Sequence, residues 1–85
     1  MNNKLEILKK KLIYRSGYRG TKEMDILLSA FVNKNINSFD ENLLNELDNF
    51  LNFEDETILD YYHNDIIEKK IDKNPISKIF KNFKL

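Results

Sequence analysis

Cysteine and tryptophan are absent from this chain, histidine and proline occur once each, and glycine occurs twice. Without cysteine there can be neither a disulfide framework nor a thiolate metal site. His63, the sole histidine, argues against an all-protein zinc site as well. No apolar run approaches the roughly 20 residues of a membrane span. The opening MNNKLEILKKKL lacks the unbroken apolar centre of a signal peptide. Glu6, and the lack of arginine before Arg15, weigh against a mitochondrial presequence. No glycine-rich phosphate loop is present, and no Ser/His/Asp or Cys/His nucleophile set can be composed. These absences leave a soluble protein of a reducing compartment, one domain spanning residues 1–85, with a core of modest size.

The formal net charge of zero conceals three blocks. Residues 1–22 carry seven Lys and Arg against Glu6, residues 23–68 carry twelve acids against Lys34, and residues 69–85 carry six lysines against Asp72. Such blocks let the ends of a small bundle attract its middle, or give two faces that orient a protein partner. The acidic middle disfavours nucleic acid, because it would repel phosphates.

Apolar residues recur at helical spacing throughout. Leu5, Leu8 and Leu12 predict a first helix ending near Ser16. Met24, Leu27, Leu28, Phe31 and Val32 predict a second, from Gly20-Thr21 to about Asn35. Ser38 to Glu41 has the S-x-x-E form of a capping box, so a third helix is expected to start there, with Leu43, Leu44, Leu47, Phe50 and Leu51 as its stripe. Glu54, Asp55 and Glu56 suit the positive end of a fourth helix bearing Ile58, Tyr61 and Tyr62. Asn74-Pro75 is a start signal for a last helix with Ile76, Ile79, Phe80 and Phe83. Residues 64–73 read either as an extension of the fourth helix or as a packed loop. Nothing alternates with period two, so the expected fold is all-α, a compact bundle of about five short helices. Phe31, Phe50, Phe80 and Phe83 sit at core spacing.

Lys11 to Asp25 stands apart. It holds both glycines, two tyrosines and the only two arginines, Arg15 and Arg19. Two glycines three apart before a helix mark a turn where backbone comes close to something, in the protein or in a partner. Glu23, taken as the third helical position, can reach back to free amides at the helix start. That explains Glu23 but not Arg19, which lies in a turn where no core demands it. An exposed arginine beside glycine, with glutamate one turn on, also makes a binding corner. Spacing alone leaves both readings open. Of the flanking tyrosines, Tyr18 is the expected exposed contact, and Tyr14 neighbours the Leu12/Ile13 apolar side.

The string KLIYRSGYRGTKEMD followed by ILLSAF resembles the succinate dehydrogenase assembly factor family, also called FAD assembly factors or flavinators. Its hallmark R-G-x-x-E is matched by Arg19, Gly20 and Glu23, with the accompanying acid at Asp25; Leu12, Ile13, Tyr14 and Ser16 match the segment upstream. Glu54, Asp55, Ile58 and Leu59 match the downstream acidic turn and helix, with Tyr61 where the family usually has tryptophan. The resemblance covers roughly residues 9–63; residues 64–85 match only as a final helix.

It implies a five-helix bundle that binds the flavoprotein subunit of succinate dehydrogenase, with that of fumarate reductase as a second candidate client, and promotes covalent attachment of FAD to a histidine of the client. The implied protein is an assembly chaperone, not an enzyme, working as a monomer in the bacterial cytoplasm without touching membrane. It holds no metal and no cofactor of its own, since FAD belongs to the client. His63 is then a helix-end residue without special chemistry. The expected client contacts are Arg15, Tyr18, Arg19, Gly20, Glu23, Asp25 and Tyr61. Two other classes remain: a helical DNA-binding domain using the first two helices, and a generic protein-interaction module. Glu23 and Asp25 at the start of the second helix count against the former, since a reading helix would meet phosphates there.

Overall fold

The computed structural model describes residues 3–85. Its five helices are α1 (Asn3–Ser16), α2 (Lys22–Asn35), α3 (Glu41–Phe50), α4 (Asp55–Asn64) and α5 (Pro75–Lys81), and the described residues contain no strand. Each predicted stripe is the buried side of its helix. Leu12 on α1 is fully buried, as are Met24, Leu28, Phe31 and Val32 on α2, Leu44, Leu47 and Phe50 on α3, Ile58 on α4, and Ile76 and Phe80 on α5. Helix α1 packs on α2 and α3, and α5 packs on α3 and α4. Phe80 joins the two groups. Its ring lies 5.1 Å from Phe31, 5.4 Å from Phe50 and 4.7 Å from Tyr62. No helix among the described residues is long and apolar enough to cross a membrane.

One local expectation changes, and one open reading is resolved. The third helix does not start at Ser38. Residues Ile36–Ser38 form a 3-10 turn, in which the Ser38 hydroxyl donates to the Asn35 carbonyl. Asp40 is the N-cap instead and accepts from the Leu43 amide at 2.9 Å. Ile36 in the extra turn and Phe39 just after it are both buried in the core.

Helix α4 ends at Asn64 because Asp65 is left-handed, with φ 58°. Asp tolerates that conformation better than a branched residue. The connection then runs as loop and a short 3-10 turn, Ile71–Lys73, which buries Ile71 and leaves Ile66 and Ile67 exposed. Lys81 of α5 closes the open end of α4 by donating to the Tyr61 and Tyr62 carbonyls and pairing with Asp65. Helix α5 starts as expected, with Pro75 at its first position. Asn74 accepts from the Ile76 amide at 2.7 Å and donates to the Glu46 carbonyl at 2.9 Å.

Most ion pairs join the basic ends to the acidic middle: Arg15 to Asp48, Arg19 to Asp55, Lys69 to Glu54 and Lys81 to Asp65. The charge blocks therefore serve the fold's own complementarity.

Candidate functional site

The α1–α2 turn is built around Arg19. Its side chain is not exposed, as expected from the sequence, but 11% accessible. Nε donates to Asp55 Oδ1 at 2.8 Å, and the two terminal nitrogens donate to the carbonyls of Leu51 and Phe53, each at 2.7 Å. The guanidinium thus closes the α3–α4 loop onto the α1–α2 turn, a three-way contact that only a planar fork of donors can make. The other Asp55 oxygen accepts the Gly20 amide at 2.8 Å. Asp25 accepts the Arg19 backbone amide.

Gly20 suits this close approach and is not demanded by its backbone angles, since no glycine has positive φ. A Cβ at position 20 would sit 3.1 Å from Asp55 Oδ2. The partner that the glycine admits is the protein's own aspartate. Arg15 is likewise a brace, reaching Asp48 and donating to Asn52 Oδ1 at 2.7 Å. Tyr61 is 8% exposed and packs on the core side of α4 with Thr57 and Ile58, the Lys81 ammonium 5.0 Å above its ring. It offers a partner little more than an edge.

Two of the expected contacts do face outward. Thr21 caps α2, its hydroxyl accepting from the Met24 amide, so Glu23 is the second helical position and not the third. Its carboxylate does not turn back to cap the helix. It is 61% exposed and stands 3.3 Å from His63 Nε2 on the last turn of α4. Glu23 and His63 border an apolar cleft of about 400 Å³ whose walls include Ile26, Leu27 and Tyr62. Tyr18 is 71% exposed, and so, contrary to expectation, is Tyr14 at 65%; their rings stack 4.5 Å apart. Tyr18, Gly20, Phe53, Glu54 and Glu56 line a shallow concavity of about 620 Å³ over the Arg19 clamp.

The site therefore gathers Tyr18, Arg19, Gly20 and Asp25 at one corner, sets Glu23 a step away, and leaves Tyr61 in the core. Sequence reasoning missed Asp55 as the acceptor of both Arg19 and Gly20, and His63 as the neighbour of Glu23. Asp55 had one signal, its place in the acidic turn Glu54–Glu56 that the family resemblance matches downstream of the motif. The His63 pairing had none.

A family profile described as flavinator of succinate dehydrogenase matches residues 10–84, past residue 63 where the resemblance fades. The chain is 38% identical over 81 residues to the mitochondrial succinate dehydrogenase assembly factor 2 of Scheffersomyces stipitis, covering 95% of this chain and 51% of that protein. It is 39% identical over 54 residues to the protein of the same name from Schizosaccharomyces japonicus, 64% of this chain and 38% of the relative. With the Arabidopsis thaliana protein it shares 46% identity over 44 residues, 52% of this chain and 23% of the relative. The chain thus spans about half the length, or less, of the curated relatives it matches. No solved structure matches it.

These relatives are named mitochondrial and come from fungi and a plant, which overturns the expected bacterial cytoplasmic location. That expectation leaned on the first dozen residues, and a chain matching half of its relatives or less carries no information there about targeting. The matched residues include the whole clamp, from Arg15 and Arg19 to Asp48 and Asp55, together with Glu23 and His63, and the chain belongs to the family of flavinators of succinate dehydrogenase.

Proposed function

We propose that this chain binds the flavoprotein subunit of succinate dehydrogenase and promotes covalent attachment of FAD to a histidine of that client, itself acting as a chaperone and not as a catalyst. The observation that carries the reading is the division of labour within R-G-x-x-E. Arg19 and Gly20 are spent on Asp55 and the α3–α4 loop, while Glu23 stays accessible at the lip of an apolar cleft. The first two make the corner rigid, and the third meets the client. Arg19 is thus a positioning residue here and not an anchor.

Flavin attachment requires loss of a proton from the 8α-methyl group and stabilisation of negative charge across the ring system, both of which the client's own residues can supply. A helper adds by holding client segments where the reacting atoms meet, and such positioning lowers a barrier without any new acid or base. A rigid corner suits this task, because a flexible one would lose on binding the freedom that it had beforehand.

Glu23→Gln tests the reading in a reconstitution with apo flavoprotein and FAD, covalent flavin being followed by in-gel fluorescence. The fold should be near normal, since Thr21 supplies the cap. Affinity for the client should fall at least tenfold through loss of a charge-assisted hydrogen bond, about 2–5 kcal/mol in a dry interface. Raising the variant's concentration should restore flavinylation. A client that stays unmodified when saturated with the variant would mean that Glu23 performs chemistry, and positioning alone would then be wrong.

A further inference from the structure

The side of α1 that faces away from the bundle carries apolar residues that the fold does not use. At 3.6 residues per turn, Leu5, Leu8 and Leu12 point inward, and Ile7, Lys11 and Tyr14 point the opposite way. Ile7 is 67% exposed, and Tyr14 is exposed to a similar degree. Just past the helix end Tyr18 stacks on Tyr14 with 29° between the ring planes, and Tyr18 also borders the concavity over Arg19 and Gly20. The stripe therefore runs about 10 Å along α1, from Ile7 to Tyr14, and continues into the motif corner. Scattered exposed apolar residues are ordinary, but an isoleucine and two stacked tyrosines in line make a surface of the kind that binds.

The charges beside the stripe are also uncommitted. Lys4, Lys10 and Lys11 are exposed, and none makes an ion pair among the described residues, whereas Arg15, Arg19, Lys69 and Lys81 all do. Their like charge opposes a second copy of this chain, which would set lysine against lysine about a twofold axis. An anionic bilayer would suit the lysines but would meet Glu54 and Glu56 beside Tyr18. A protein can match both ends, with carboxylates against the lysines and a base near Glu56.

We infer that the Ile7–Tyr14–Tyr18 stripe is a second docking surface, taking an apolar patch with an acidic rim on the same flavoprotein that the motif corner engages. This inference rests on the function proposed above. The stacked ring pair is already ordered, so little freedom is lost when it is covered.

The test is binding of the purified apo flavoprotein subunit of succinate dehydrogenase to the full chain by biolayer interferometry at two salt concentrations. Two variants are compared with the parent, Ile7→Ser with Tyr14→Ser, and Lys10→Glu with Lys11→Glu. The lysine pair keeps the question open should the apolar pair fold poorly. Circular dichroism should give parental melting for both, since all four side chains face solvent. Each variant should weaken binding at least tenfold, and the lysine variant should also flatten the salt dependence. Parental affinity in both would overturn the stripe and leave the proposed function standing. No binding by the parent chain would overturn the proposed function and this occupant with it. Intact client binding, with loss of self-association in sedimentation or of binding to phosphatidylglycerol vesicles, would assign the stripe to one of those occupants and refute ours.

Discussion

Replacing Arg19 by lysine keeps the charge and removes the geometry. The guanidinium serves three acceptors on two sides, Asp55 and the carbonyls of Leu51 and Phe53, and one ammonium cannot reach all of them. At least one carbonyl of the α3–α4 loop would lose its partner in a nearly buried setting, which costs about 1–3 kcal/mol. Arg19→Lys should therefore lower the urea unfolding free energy by about 2 kcal/mol, and Arg19→Ala by about 3–5 kcal/mol, since the alanine also strands the Asp55 carboxylate. A loss below about 0.5 kcal/mol for lysine, within the range of ordinary surface changes, would mean that the fork is not what holds the corner. Gly20 belongs to the same device, for a Cβ there would crowd the aspartate that accepts its amide.

At the scale of the element, the start of α3 separates pattern from geometry. Ser38 and Glu41 fit the capping-box template, yet the cap is Asp40. The template is met by any serine three residues before a glutamate; here Ser38 is taken up in the 3-10 turn Ile36–Ser38, where its hydroxyl bonds back to Asn35, and Asp40 is left to cap α3. Asp40→Ala should cost about 1 kcal/mol and Ser38→Ala only a few tenths, read as shifts in thermal melting of the two variants. Equal shifts would return the cap to Ser38. The other helix ends were more legible. Asn74-Pro75 starts α5 as written, because a proline ring and a short side-chain acceptor act within two residues of each other.

For the whole molecule, Phe80 is the point where α2, α3 and α4 meet through Phe31, Phe50 and Tyr62. Truncating a buried phenylalanine costs about 3–5 kcal/mol. A domain of this length is stabilised by only about 4–13 kcal/mol in total. Phe80→Ala should therefore lower the melting temperature by well over 10 °C or leave the chain largely unfolded at 37 °C, as circular dichroism would read directly. Melting close to the parent would move the centre of the core elsewhere.

The all-α fold, the five helices and their buried stripes were decided by the sequence alone, because apolar spacing and end signals act over a few residues and need no knowledge of the rest. The motif was visible for the same reason, as residues close together between two predicted helices. What its residues do was not. Arg19 and Asp55 are 36 positions apart, and Glu23 and His63 are 40 apart. Only the tertiary fold, which packs α1 on α3 and sets the last turn of α4 beside the first turn of α2, brings such groups within hydrogen-bonding range. The same holds for α1 itself, which has apolar residues on two sides. Leu5, Leu8 and Leu12 were legible as its core stripe from their spacing, but that Ile7 and Tyr14 would stay uncovered was settled only when α2 and α3 packed on the other side.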